Sequence, residues 1–465
     1  MDILGYRHIP QALLEFITFL VRALPLRSVP TFIELLIGSM LTQAGFVTQA
    51  YLALPMKRHW TSYYKWLQKG KWSWVALGVQ MAKLLVHFFP QAEWHLVIDD
   101  TLVLRTSKKA PGSKICHEHS KKSNRPEFVR AQNWVCLAAV ICSDIQNAAV
   151  PLLSRLIRSV GNASKLDAAK TLIRVIAPVF VCLNVRLLFD SWFMRGNLIS
   201  FALGSGFHVI GQVRKDTALF CVPDKIRKRG RPKKYGEKYT PKVIEDLPQT
   251  WIKLFVYGKL RWVRYRSVIA KARFLKGRLV HAVWSAIEDD DGKIPQDRLM
   301  LATDLSLPTT DVIMAYARRW PIENMFHQAK NSWGWKETWQ QSRQVLHRWL
   351  HIIGIGYALP QLLAIRGGKE VSKLADTTPW RKKHPITAGR VRSGLVKIFG
   401  HFPVRDWWNA KSRKFGPPKV VDEENLREND KSRIDPIRKN DSPKRDATLK
   451  ITLTGKLHLN SSLIK

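Results

Sequence analysis

The sequence predicts an α/β protein: a mixed β-sheet core, interrupted by a strand-rich insertion and preceded by a helical domain. Three observations carry this. Residues 10–90 repeat apolar positions at helical spacing in QALLEFITFLVRAL, TFIELLIGSMLTQA and WVALGVQMAKLLVHFF, broken by Pro and Gly. From residue 94 the pattern changes to apolar runs of strand length, WHLVIDDTLVL, WVCLAAVIC and NAAVPLL, simplest as three antiparallel strands in sequence. A helix, KLDAAKTLIRVIAPVF, then precedes the strand VRLLFDSWF, and a second helix around NLISFAL precedes FHVIGQV. Helical crossovers between strands of one sheet make those strands parallel, with right-handed connections.

The N-terminal helices span 1–93, and Gly45 between two short helical stretches, followed by MKRHWTSYYKWLQKGKW, allows a helix-turn-helix with a phosphate-contacting flank. The core spans 94–216 and 309–365. Between them, 217–308 opens with IRKRGRPKKYGEKYTPK and continues as alternating strands, which reads as a basic, strand-rich insertion. Residues 366–465 are charged and turn-rich, and their composition predicts a basic, largely disordered tail.

Charge narrows the function classes. Seventy-six Lys and Arg against thirty-six Asp and Glu leave a net charge of +40, which calls for a polyanionic partner. Basic residues run through the whole chain and not beside a lipid anchor, so nucleic acid is favoured over a membrane surface. The longest apolar run, 351–365, contains His351 and Pro360 and is too short to span a bilayer. The N-terminus lacks a signal-peptide layout, so a cytoplasmic, nucleoid-associated location is expected. Five cysteines at unrelated spacings argue against a disulfide framework, and Cys116, His117 and His119 have no second pair to complete a zinc site.

Residues 316–330, YARRWPIENMFHQAK, are the segment the chain is organised around. On one continuous helix, Tyr316, Arg319, Glu323 and Lys330 share a face, although Pro321 kinks that helix or begins a new one. Two further acids sit at the ends of apolar strands, where a charge is costly without compensation: Asp99 or Asp100 in VIDDT, and Asp190 in LLFDSW. If the first and fourth strands are neighbours, both acids project at one edge and Glu323 completes a carboxylate triad. Such a triad suits two divalent ions, Mg²⁺ for preference, with Mn²⁺ as a substitute.

With these residues the sequence resembles the DDE transposases of bacterial insertion sequences, on an RNase H-like fold. The sub-group is the one with a Tyr-Arg-Glu-Lys signature, the insertion-sequence-four type. The signature matches at Tyr316, Arg319, Glu323 and Lys330, and the insertion falls between the second and third acids, 133 residues apart from 190 to 323. The resemblance covers roughly 94–350. It implies that Asp190 and Glu323 are catalytic metal ligands, with the first ligand in the DDT segment. Asp100, directly before Thr101, is preferred; members with the acid directly after the strand favour Asp99. It further implies that Tyr316, Arg319 and Lys330 bind phosphates at the transposon end. The expected activity is cleavage of the terminal inverted repeats and strand transfer to target DNA, by a homodimer on double-stranded DNA. The rival readings are a structure-specific nuclease on the same fold and a non-catalytic DNA-binding descendant of a transposase.

Weaker signals lie in the insertion. Arg229 and Arg231 flank Gly230 in a cationic segment suited to phosphates or a narrow minor groove. Trp251, Trp262 and Trp284 are candidates for stacking on an extruded base.

Overall fold

A single large sheet organises the computed structural model; along it the strands run 114–117, 128–142, 94–104, 185–189, 208–213, 298–302, 278–287, 259–272 and 219–220, with 147–156 paired to 128–142 and 250–256 to 259–272. The structure describes residues 9–118, 126–143, 146–157, 162–223, 233–376, 379–381, 384–400 and 403–416. All of these fall within one compact unit that ends at Pro418.

Strands β1 (Trp94–Leu104), β3 (Phe128–Cys142) and β4 (Asn147–Leu156) pair antiparallel in sequence, with the short β2 (Lys114–His117) on the start of β3. Helix α6 (Asn162–Ile176) then crosses to β5 (Val185–Phe189), and α7 (Gly196–Gly204) to β6 (His208–Val213). Both crossovers give parallel pairs, β1 with β5 and β5 with β6. This is the mixed α/β sheet of an RNase H-like core, as the sequence pattern predicts.

The insertion continues that sheet. After β7 (Leu219–Phe220) and the short helix α8 (Pro241–Glu245), the strands β8 (Thr250–Val256), β9 (Lys259–Ala272), β10 (Arg278–Ile287) and β11 (Arg298–Ala302) follow. β11 pairs antiparallel with β6, so the added strands share hydrogen bonds with the core. The chain then enters α9 (Thr309–Ala317) and α10 (Pro321–Ser332). Pro321 occupies the first helical position of α10, where its missing N–H is no loss and its fixed φ suits the turn. The continuous helical face is therefore replaced by two helices: Tyr316 lies on α9, Arg319 in the joint, and Glu323 and Lys330 on α10.

The N-terminal helices, α1 (Gln11–Leu20), α2 (Val29–Leu41), α3 (Val47–Leu52), α4 (Trp60–Lys69) and α5 (Trp74–Phe88), share their buried apolar side chains with one core that includes the sheet. The long helix α11 (Arg343–Arg366) joins the two parts. Arg348 donates to the carbonyls of Leu67, Gly70 and Trp72, and Trp349 Nε1 donates to Gly45 O at 2.7 Å. Gly45 follows α2, and a Cβ there would stand 1.8 Å from the Gly334 carbonyl oxygen. Its small size is required by this backbone contact, independently of any DNA-binding turn. Pro360 lies inside α11, and no helix of the described residues is long and apolar enough to cross a membrane.

The segment read from composition as tail is partly helical. α12 (Lys369–Ala375) and α13 (Ala388–Phe399) are formed, followed by a two-strand ribbon, β12 (Trp408–Asn409) and β13 (Lys414–Phe415). Val391, Leu395 and Phe399 recur at helical spacing on α13 and are buried, a pattern that the surrounding charge obscures. Arg405 Nη1 bonds Glu34 Oε2 of α2 at 2.8 Å, and Trp407 and Trp408 are buried. Residues 417–465 lie outside the described residues, as do Arg229 and Arg231.

Candidate active site

The parallel register of β1 and β5 pairs Ile98 with Phe189, which brings Asp99, midway along β1 and not at its end as the sequence suggests, beside Asp190, the residue after β5. β-strand alternation sends Asp99 and Asp100 to opposite faces of β1. Asp99 shares its face with Thr101, and that face meets α10 and the joint before it: Arg319 Nη1 of the joint bonds Asp99 Oδ2 at 2.8 Å, and Lys330 Nζ of α10 bonds Thr101 Oγ1 at 2.8 Å. Arg319 Nη2 also donates to Glu323 Oε1, four residues on. The guanidinium thus bridges the β1 aspartate and the helix glutamate.

Asp100 turns to the other face. Its Oδ2 accepts from Asn133 Nδ2 at 3.0 Å, and Lys165 Nζ of α6 bonds its Oδ1 at 2.9 Å. Asp190 is fixed through Oδ1, which accepts from the amides of Trp192 at 3.1 Å and Phe193 at 3.0 Å. All four carboxylates line one open groove of about 1030 Å³, together with Thr101, Arg319 and Lys330.

Electrostatics shows how closely these groups crowd. Burial lifts the Asp99 carboxyl to about 7, against the pull of Arg319 and with help from Asp190 and Asp100. Asp190 is also raised, first by burial and further by Asp100, while the Phe193 amide and Arg319 oppose the shift. Two aspartates that disfavour each other's charge create a demand for cations. Arg319 meets that demand for both, while Lys165 pairs with Asp100. Tyr316 is pushed up to about 12 by burial, and its hydroxyl points to Gln212 Oε1 at 3.5 Å.

The donor set is all oxygen and suits a hard divalent ion in kind. Among the described residues no group of three or more His, Cys, Asp and Glu is gathered closely enough to hold a metal. The carboxylates instead hold the two side-chain cations. Arg319 also walls a second pocket, of about 620 Å³, lined by Tyr257, Arg261, Arg298, Tyr316 and Trp320. The two pockets adjoin at this residue.

Of the insertion tryptophans, Trp284 is buried on β10 and packs within the core. Trp251 and Trp262 are exposed on the β8–β9 hairpin, beneath Arg264 and Lys253 respectively. Sequence reasoning missed Lys165 and Asn133. They reach Asp100 from 65 and 33 residues away, and neither has a local signature.

A sheet of this order, with aspartates within its central strand β1, another just past the end of the neighbouring β5 and a glutamate on the helix α10, defines an RNase H-like core of the nuclease and transposase class. The chain belongs to the DDE superfamily endonucleases, whose family description, DDE superfamily endonuclease, matches residues 33–271. The match includes Asp99, Asp100 and Asp190 and ends before Glu323. No curated protein matches the chain.

Proposed function

We propose that this DDE endonuclease is a transposase of the Tyr-Arg-Glu-Lys sub-group, which binds the terminal inverted repeats of an insertion sequence, cleaves them and joins the free 3′-ends to target DNA. The observation that carries the reading is the single groove in which Asp99, Asp100, Asp190 and Glu323 meet Arg319 and Lys330. A nuclease needs the acids alone; the two phosphate-type ligands built into the same wall suit an enzyme that must also hold the end it has cut.

Asp190, Glu323 and one β1 aspartate are the ligand set. The resemblance favours Asp100, directly before Thr101, for the first place, although Asp99 as well as Asp100 lines the groove. A second reading gives that place to Asp99, because Asp99 shares Arg319 with Glu323. Two Mg²⁺ or Mn²⁺ ions, when bound, would activate water or a 3′-hydroxyl and stabilise the leaving oxygen.

The protein's own groups do the rest. The amides of Trp192 and Phe193 fix the rotation of Asp190. Arg319 offers a planar fork for a phosphate, and Lys330, held at Thr101, offers a point charge. Two ends brought to one reaction imply a homodimer on DNA, and the net charge supplies affinity for both end and target duplexes.

The test is purified protein, Mg²⁺ and labelled duplex carrying the repeats that flank its gene. Nicking at those ends, absent from scrambled DNA, is the expected result. Equal cutting of both would favour a structure-specific nuclease, and binding without cutting a non-catalytic descendant.

A further inference from the structure

Asp99 and Asp100 are consecutive residues with opposite surroundings. Asp99 lies beside Asp190 and shares Arg319 with Glu323. Asp100, on the other face of β1, is held by two structural donors. Asn133 Nδ2 of β3 reaches its Oδ2 at 3.0 Å, and the Lys165 ammonium of α6 bonds Oδ1 at 2.9 Å and Oδ2 at 2.8 Å. The lysine and aspartate side chains are each 17% exposed, so the pair is largely screened from bulk water.

The same ammonium lies 4.5 Å over the indole of Trp192. Trp192 packs edge-on against Phe193, with ring centroids 4.9 Å apart, and the amides of both residues hold Asp190 Oδ1. On the other side, Asp99 Oδ1 accepts from the amide of Asp100 at 2.8 Å. The backbone that Lys165 anchors through Asp100 is therefore the backbone that orients Asp99. One lysine thus ties the strand of the first two acids to the turn that orients the third, by an ion pair and a cation–π contact.

We propose that Asp100 and Lys165 are a positioning pair, which sets the spacing of Asp99 and Asp190 from the far face of β1. This role rests on the groove being the cleavage site and on Asp99 being its first acid. The pair acts through the Asp100 amide and the Trp192 turn and touches no reacting atom.

The experiment compares single-turnover cleavage of end duplex with duplex affinity in the full chain. Lys165→Met keeps the stem and removes the charge. It is expected to slow cleavage about 10- to 100-fold, the cost of a misplacement of about 1 Å, with affinity within about threefold of wild type. Lys165→Arg keeps the charge and the stack, and is expected to cleave within about threefold of wild type. Asp100→Asn is expected to retain measurable cleavage. Asp100→Asn with Lys165→Met is expected to be no slower than the slower single variant, since both break one link. No residual cleavage in Asp100→Asn beside a wild-type rate in Lys165→Met would make Asp100 a reacting group and overturn the proposal, as would additive losses in the double variant.

A second readout does not depend on cleavage. In DNA-free protein labelled with 5-fluorotryptophan, the Trp192 fluorine resonance is identified by its absence from Trp192→Phe. Asp100→Asn loosens the ammonium over that indole and is expected to shift the resonance, but to have no further effect in Lys165→Met. If the shift appears and wild type cuts no end duplex, the reading of the groove falls and the tie between strand and turn stands. If wild type cuts and Asp100→Asn leaves the resonance unmoved, the positioning pair alone falls.

Discussion

Replacing Arg405 by alanine is expected to cost about 3–5 kcal/mol of stability at about pH 8, because it strands a buried carboxylate. Glu34 sits in the middle of α2 at 1% exposure, and Arg405 Nη1 reaches its Oε2 at 2.8 Å. Burial holds the Glu34 carboxyl above its usual range, and Arg405 opposes that shift. Because the folded-state pKa lies above the unfolded one, the stability Glu34 contributes is full below the unfolded value and is lost as pH rises through the folded value. Removing the arginine raises the folded value further. The penalty of Arg405→Ala is therefore expected to grow as pH rises above the usual carboxylate range, as the unfolded state increasingly gains from ionising a group that the folded state keeps protonated or leaves without its cation. Urea unfolding followed by tryptophan fluorescence reads this directly, since Trp407 and Trp408 are buried beside Arg405 in sequence. Glu34→Gln in the Arg405→Ala background removes the stranded charge and is expected to recover most of the loss. A penalty under about 0.5 kcal/mol, the range of ordinary surface changes, or one unchanged by pH or by Glu34→Gln, would refute the reasoning.

Gly334→Ala is expected to destabilise by at least about 2 kcal/mol in the same urea assay. Gly334 has φ +72°, and a Cβ there would stand 2.0 Å from Gly45 N, so a change within about 0.5 kcal/mol would mean the two backbones separate freely. Asp190→Asn and Glu323→Gln are expected to abolish strand cleavage while duplex binding, measured by gel shift, stays within a few-fold of wild type. Between Asp99→Asn and Asp100→Asn, the variant with no residual cleavage identifies the first ligand. Truncation after residue 418 is expected to lower non-specific DNA affinity without unfolding the chain, whereas a cut after residue 405 removes Trp407 and Trp408 and is expected to destabilise it. End-labelled cleavage products are expected to include a closed hairpin on denaturing gels, reduced in Arg319→Ala and Lys330→Ala more than first-strand nicking is.

Much of the architecture was legible because each strand of the core is an apolar run of its own and each crossover has helical periodicity. The joint at Pro321 was legible only as two alternatives. Proline suits both a kink and a helix start, and the packing of α10 against the sheet decides between them. Glu34 could have been noticed as a lone acid in TFIELLIG, but its partner is 371 residues away and inside a segment whose charge masked its helical spacing. The order of pairing along the sheet was the least legible part. Nothing in the alternation of β8 to β11 says that β11 returns to β6, because a strand's pattern records which faces are buried and not which neighbour it bonds.

That return of β11 to β6 bears on when the site can exist during synthesis. A ribosome has made Asp99, Asp100 and Asp190 long before Glu323, and the intervening strands must find their place before the chain reaches α9 and α10 from the correct side of the sheet. Residues 210–213 pair with 299–302, a contact of large sequence separation, the kind that forms slowly. A nascent or truncated chain ending within the insertion carries the aspartates with no glutamate to complete them. In the proposed ligand set the glutamate is therefore the last to arrive, and a chain that ends before α10 is expected to carry no complete triad.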